Sequence, residues 1–348
     1  MNNYTNYLDC SHETSALPNA VDSKRQWLAS QVNSEDWLHM INDAALSEIH
    51  SIASSFADSS DTDLSQLDKL HLQNFEIPHC IKLFKRIKNN IDNGLGFAVA
   101  DRLPVDEYPP EVMARVFYIL GQVIGQPVSQ KHAGQMIYDI RDSGAAFGYG
   151  VRGSVTNVEL NFHTDNAFGQ VTPEYVGLFC KHPAKQGGVS RFCSLFALHN
   201  HIESVSPAAL KRLYQPMFFD RQKEHAEGDP PVTLAPYFSW RTNSDGNKVM
   251  HARANTSLVR KGYEVANIEM DAELEHALEV VDETSSQDKF WYEADLEKGQ
   301  IQYLNNRETG HYRSEFIDHE DQDKKRHLYR LWHRNCLLYT SPSPRDRG

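Results

Sequence analysis

From Gln135 to Arg334 the chain repeats one local pattern, and this pattern most restricts the folds open to it: short apolar or alternating runs cut by Gly, Pro, Asn and Asp. Seven runs are predicted strands, namely Gln135–Asp142, Val158–Asp165, Glu174–His182, Gly188–Phe196, Lys248–Asn255, Gly299–Asn306 and His327–Arg334. Residues alternating between turn formers suit a pleated surface with one buried face. Leu95–Asp101 reads as a further, fully buried strand. Helical periods lie mostly earlier. One starts near Trp37 with Ser34 as its N-cap and ends near Ser55–Ser60, and a second spans Ile81–Ile91. A third is opened by Pro109-Pro110 and stopped by Gly125 and Pro127. A short helix follows Ser206-Pro207, and another begins at Asp271. Proline at the first turn and Ser or Asp at the cap are the physical signals used. Many short strands with a few helices outside them predict an α+β, mainly β molecule, a barrel or sandwich with a helical N-terminal segment.

Four regions are expected: a loose lead-in over 1–22, helices over 23–94, the strand-rich domain over 95–335, and a tail over 336–348. The tail, Cys336-Leu-Leu-Tyr-Thr-Ser-Pro-Ser-Pro-Arg-Asp-Arg-Gly348, resembles translated read-through of a sequencing adapter and is left out of fold reasoning. A formal charge of -12, with 35 Lys and Arg residues forming no long basic run, argues against nucleic acid and anionic membranes as partners. No run of 18 apolar residues exists, and Met1 to Ala20 is polar, so the expected compartment is the cytoplasm. The five cysteines have no zinc-type spacing and read as reduced structural thiols. A homo-oligomer stays open.

The chemistry-bearing stretch is Val158-Glu159-Leu160-Asn161-Phe162-His163-Thr164-Asp165. On a regular strand His163 and Asp165 point to the same side, about 6.6 Å apart along the chain, and an imidazole and a carboxylate so placed can share a metal. The same parity puts Asn161 and Glu159 on the polar face, where Asn161 is a candidate to touch substrate. A third ligand is offered by His311, in the connection after a short strand that ends at the turn-prone pair Asn305-Asn306. Two histidines and one carboxylate form the facial triad of non-haem Fe(II) oxygenases, whose open positions admit a chelating co-substrate and oxygen. Downstream, Arg326, Leu328, Arg330 and Trp332 share one face of a predicted strand, with two guanidinium groups roughly 13 Å apart in chain extent. Arginine suits planar capture of a carboxylate.

His163-Thr-Asp165, then Gly187-Gly188-Val-Ser190, then Asn306-Arg-Glu-Thr-Gly-His311-Tyr-Arg-Ser-Glu-Phe316, then Arg326-His-Leu-Tyr-Arg330, resemble in order and spacing the taurine dioxygenase (TauD/TfdA) family of Fe(II)/2-oxoglutarate oxygenases, which includes γ-butyrobetaine hydroxylase. The similarity covers roughly Leu95 to Arg334. It implies a double-stranded β-helix, or distorted jelly roll, with outer helices. It also implies Fe(II) on His163, Asp165 and His311, with 2-oxoglutarate and O2 as co-substrates. Arg326 would pair with the distal carboxylate of 2-oxoglutarate, Arg330 being the alternative, and Ser190 would supply a hydroxyl where many members carry Thr. The products would be succinate, carbon dioxide and a hydroxylated substrate, since Asp165 fills the place that halogenases of this type leave for halide.

The substrate is expected to be a small polar metabolite: a carboxylate, a sulfonate or a betaine. Arg330, Arg313 and Arg152 are candidate anion anchors. Tyr138, Phe147 and Tyr149 could instead cage a quaternary ammonium by cation–π contact. Two other classes stay open on the residues alone. One is a zinc hydrolase with Glu159 as base, the other a metal-binding protein of the same fold without catalysis.

Overall fold

The computed structural model describes residues 7–11, 25–57, 63–130, 134–145, 151–242 and 248–335. Its centre is a pair of facing β-sheets. The larger has seven strands, in the order Leu38–Met40, Phe97–Asp101, Ile301–Asn305, Tyr175–His182, His327–Arg334 and Gln126–Val128, with Tyr138–Ile140 also pairing on His327–Arg334. The smaller runs Trp291–Glu293, Ser190–Ser194, Thr309–Arg313 and Leu160–His163, all antiparallel.

Strand parity decides what each face of the larger sheet does. On its outer face Ala98, Ala100, Phe179, Ile301, Tyr303, Tyr329 and Leu331 join a buried cluster with helices Asp43–Ala57, Pro78–Asn93 and Pro110–Gly121. On the inner face Phe97, Val99, Val176, Leu304 and Trp332 meet Phe192 of the smaller sheet and the tryptophans Trp27 and Trp37. Phe97 and Phe192 stack with ring centroids 4.2 Å apart at 6°, joining the two sheets by an aromatic contact. Neighbouring residues on one strand thus serve opposite sides: Tyr329 and Leu331 hold the helices, and Arg330 and Trp332 enter the space between the sheets.

Between Ser194 and Trp291 the chain leaves this core to build a second one. Helices Leu195–Val205, Pro207–Leu213, Thr256–Ala266 and Ala272–Ser285 pack with the strands Pro216–Asp220 and Val232–Pro236 and the hairpin Phe238–Thr242/Lys248–Ala252 around Phe196, Leu213, Met217, Phe219, Phe238 and Met250. Ser194 ends its strand and caps the first of these helices, its hydroxyl accepting from the Ala197 N–H at 3.1 Å. Helix Thr256–Ala266 presses on strand Pro216–Asp220 through Gly262, where a Cβ would fall 2.4 Å from the Phe218 carbonyl oxygen and 2.9 Å from the Asp220 nitrogen. Gly262→Ala should therefore destabilise the protein by about 1–3 kcal/mol through overpacking, read as a lower denaturation midpoint; an unchanged midpoint would show that the helix can shift away.

Two local expectations are corrected. The helix expected from Trp37 is broken: Ser34–Trp37 forms one turn capped by Asn33, not Ser34, and Leu38–Met40 then turns extended to pair in parallel with Phe97–Asp101. Only after Asn42, whose side chain accepts from the Ala45 N–H at 2.9 Å, does the long helix begin. The lead-in contains a strand, Tyr7–Asp9, parallel to Val232–Leu234. Residues 336–348 lie outside the described residues. No helix among the described residues is long and apolar enough to cross a membrane.

Candidate metal centre

His163 and His311 face each other in register across two antiparallel strands, so their rings meet with centroids 4.2 Å apart. His311 lies inside the strand Thr309–Arg313, not in a connection beyond a strand end. The chain passes from the larger sheet to the smaller through Asn306–Glu308, and the next strand starts at once. Asp165 follows its strand rather than extending it, since Leu160–His163 ends two residues earlier. The turn is fixed by side chains from afar. Asn306 accepts from the Asp165 N–H at 2.7 Å and donates to the Asp165 and Pro173 carbonyls at 3.0 and 3.1 Å. Thr164 exchanges hydrogen bonds with Ala254 of the insertion, its N–H donating to the Ala254 carbonyl at 2.7 Å and its hydroxyl accepting from the Ala254 N–H at 3.0 Å.

These constraints bring three ligand-type atoms together. Asp165 Oδ1 is 3.8 Å from His163 Nε2 and 3.5 Å from His311 Nε2, and the three residues form a group able to hold a metal ion. The rest of the geometry fits a cation. His163 Nδ1 meets the Asn161 carbonyl at 2.7 Å, so that nitrogen carries the proton and Nε2 keeps its lone pair. The other oxygen of Asp165, Oδ2, accepts from Trp332 Nε1 at 2.8 Å and lies 3.1 Å from Arg330 Nη1. One carboxylate oxygen is thus anchored and the other is left facing two imidazole nitrogens. Burial pushes the His163 pKa down to about 3, helped by His311, which keeps it a neutral donor. Burial alone would raise the Asp165 pKa, but Arg330, His311 and His163 outweigh it and hold the carboxyl well below its usual range.

The shared face of Arg326, Leu328, Arg330 and Trp332 is present, but Arg330 is occupied. Besides Asp165, its Nε donates to the Gln130 side chain at 2.8 Å, and Gln130 in turn donates to the Arg330 and Met136 carbonyls at 2.8 and 2.7 Å. Arg313 is occupied too, donating from one terminal nitrogen to the carbonyls of Gly153 at 3.3 Å, Thr156 at 2.9 Å and Val158. It ties the loop before the His163 strand to the His311 strand. Arg326 is equally buried, and among the described residues it is a terminal nitrogen of its fork, Nη1, that has no hydrogen-bond partner, whereas in Arg313 it is the inner Nε. Burial pushes the Arg326 pKa down to about 10. Burial and then the charge of Arg326 push that of Arg313 down to about 9. Two buried guanidinium groups within electrostatic reach of each other suit an anionic guest. Ser190 lies opposite Arg313 in the strand register. Gly187 and Gly188, both at positive φ of 74° and 73°, let the chain pass this point: a Cβ on Gly188 would sit 3.1 Å from Arg326 Nε.

The parity that would carry Asn161 and Glu159 into the pocket beside His163 does not hold. The pairing shifts between His311 and Arg313, whose partners are His163 and Leu160, so the His163 strand carries one extra residue, a bulge. Asn161 is exposed, and Glu159, also exposed, accepts from the Tyr312 hydroxyl instead of standing ready as a base. Tyr138 does lie near the centre, with the Arg330 guanidinium 5.0 Å from its ring centroid. Phe147 and Tyr149 lie outside the described residues. Two contributors that sequence reasoning passed over are Trp332 and Asn306, both on runs already singled out; their partner Asp165 lies far away in the chain, and no local signal names it.

A double-stranded β-helix with a His/Asp/His cluster between its sheets defines a non-haem iron oxygenase of the 2-oxoglutarate type. The chain belongs to the taurine catabolism dioxygenase TauD, TfdA family, whose model matches residues 63–332. It is an Fe(II)- and 2-oxoglutarate-dependent dioxygenase. FR-33289 synthase of Streptomyces rubellomurinus is 25% identical over 91% of this chain and 91% of that protein. The taurine hydroxylase-like protein SAT17 of Stachybotrys chartarum is 24% identical over 92% of this chain and 81% of its own. Among solved structures, asparagine oxygenase in complex with Fe(II), 2S,3S-3-hydroxyasparagine and succinate superposes with a TM-score of 0.65 at 16% identity, covering 85% of this chain and 93% of that one. The non-haem iron oxygenase OrfP with Fe, succinate and (3R,4R)-dihydroxy-L-Arg gives 0.62 at 15% identity, over 88% and 98%. These two likenesses carry the fold.

Proposed function

We propose that His163, Asp165 and His311 hold the iron, that Arg326, aided by the Ser190 hydroxyl, binds the distal carboxylate of 2-oxoglutarate, and that the enzyme hydroxylates a small polar metabolite bearing a carboxylate, sulfonate or ammonium group. The observation that carries the reading is the division of labour on Asp165, one oxygen tied to Trp332 and Arg330 and the other aimed at both Nε2 atoms. Bound ferrous iron supplies the redox chemistry that couples reduction of O2 and decarboxylation of 2-oxoglutarate with oxidation of a substrate C–H bond. The chain's own residues position and shield. Asn306 and Ala254 fix the turn at Asp165, Arg330 balances its charge, Trp332 orients it, and the bulge at Asn161 lends His163 a carbonyl partner. Arg330 and Arg313 then act as organisers of the centre, not as substrate anchors.

Anaerobic addition of Fe(II) and 2-oxoglutarate should give a weak visible charge-transfer band, and admission of oxygen should yield succinate. Absence of both would overturn the reading. Trp332→Phe keeps the ring and removes the N–H, so Fe(II) should bind roughly 10–100-fold more weakly, as when a ligand's outer hydrogen-bond partner is lost. Titration of the band with Fe(II) checks this, and wild-type affinity would show that the indole N–H does not orient the ligand.

A further inference from the structure

The insertion between Ser194 and Trp291 reaches back toward the metal centre, and one of its contacts there is an ion pair. Glu224, between the strands Pro216–Asp220 and Val232–Pro236, forms an ion pair with Arg152 of the loop before the His163 strand. Both side chains are largely covered, at 23% and 17% exposure. The pair adjoins the iron site through Tyr138: the Arg152 guanidinium lies 5.2 Å from that ring's centroid, Arg330 lies 5.0 Å from it, and Arg330 touches Asp165 at 3.1 Å. Arg152 registers these neighbours. Burial and then the charge of Arg330 lower its pKa, while Tyr138 and Asp165 oppose them.

Glu224 is delivered by a backbone that resists its own residues. Gln222 and Lys223 have φ of 51° and 59°, and the Glu224 N–H donates to the Arg221 carbonyl at 2.7 Å. Positive φ at both central residues is the pattern of a type I′ turn, which prefers Asn and Gly. Here Gln and Lys hold it, and the Asp220 carboxylate supports it by accepting from the Gln222 N–H at 2.9 Å. Such strain persists where the surroundings over-determine it, commonly beside binding sites.

Charge balance decides what can dock here. A purely anionic guest on Arg152 would leave Glu224 covered and unpaired, and a purely cationic guest on Glu224 would leave Arg152 unpaired beside Arg330. Either loss is heavily penalised for a covered charge. A molecule carrying both charges can replace each partner of the pair at once.

Building on the oxygenase reading, we propose that Arg152 and Glu224 are the specificity-determining pair, which opens around a zwitterionic substrate: Arg152 takes a carboxylate or sulfonate, and Glu224 takes a primary or secondary ammonium group. A quaternary ammonium has no N–H to give Glu224 and is selected against.

Three probe sets test this on the Fe(II)- and 2-oxoglutarate-loaded wild-type enzyme: the L-α-amino acids and taurine as zwitterions, their N-acetyl derivatives as anions, and amino-acid methyl esters as cations. Succinate formed above the probe-free rate and anaerobic perturbation of the charge-transfer band are read together. Stimulation and perturbation confined to the zwitterions are expected. Strongest response to anions alone, to cations alone, or to none of the sets overturns the proposal. The probe-free wild-type protein separates the two readings, because no band and no succinate there would sink the oxygenase assignment itself. For the best zwitterion, Glu224→Gln should raise KM at least tenfold with kcat little changed, and the zwitterion's lead over its N-acetyl derivative in succinate formed should narrow. An unchanged KM, or an unchanged lead over the N-acetyl form, would make the pair a purely structural tie. The wild-type ranking decides the matter even if a variant fails to fold.

Discussion

Asp165→Ala should abolish succinate formation, losing far more than the ~100-fold that removal of a ligand's outer partner costs. The substitution removes the only carboxylate of the His163, Asp165 and His311 group. It also strands Arg330, whose side chain is 8% exposed and whose acidic partner is Asp165. An uncompensated buried charge of this kind costs about 3–5 kcal/mol, so the variant should also have a lower denaturation midpoint. Asp165→Asn separates the two effects, because it leaves an amide oxygen able to accept from Trp332. Iron binding should fall in both variants and the midpoint should fall more in Asp165→Ala. Measured succinate at wild-type rates in either variant would mean that iron sits elsewhere.

Arg326→Gln should raise the 2-oxoglutarate requirement roughly 10–100-fold, the equivalent of about 1.5–3 kcal/mol for a hydrogen bond to a charged group. Its Nη1 is buried and lacks a partner among the described residues, and Gly188 leaves room beside its Nε. Arg330→Gln should act differently: its guanidinium is committed to Asp165 and Gln130, so iron affinity should fall while the 2-oxoglutarate KM at saturating iron moves little. Steady-state kinetics at varied 2-oxoglutarate, with iron saturating and then limiting, distinguishes the two, and the reverse order would mean that the roles are exchanged.

The sequence was most legible where one physical rule governs a whole element. The strand His327–Arg334 follows its expected bounds, and its alternation correctly divides Tyr329 and Leu331 from Arg330 and Trp332. The gathering of His163, Asp165 and His311 was legible from residue chemistry and order. Legibility failed where a single residue changes the count. The bulge before His163 undoes the parity used for Asn161, and no residue in that stretch announces it. It failed again at Leu195-Phe196, which continue an apolar strand by composition but begin a helix, because the deciding signal is the Ser194 hydroxyl acting as a cap. It could not reach the partners of Arg330 and Arg313. Both read as anion anchors because arginine chemistry is visible in sequence, and the far-off groups that satisfy them are not.

The strands that bracket the insertion are themselves neighbours, Cys193 pairing with Trp291 and Phe192 with Tyr292. The chain therefore departs from the smaller sheet and rejoins it at the same rung, so that changes of length away from the Ala254–Thr164 contact carry little entropic cost for the core. The residues proposed to hold iron and 2-oxoglutarate stand on the two sheets and their connections, whereas Glu224 rides on the insertion. Under the proposed roles, substitutions in the stretch around Glu224 can change what is selected while the residues proposed for iron and 2-oxoglutarate stay in place.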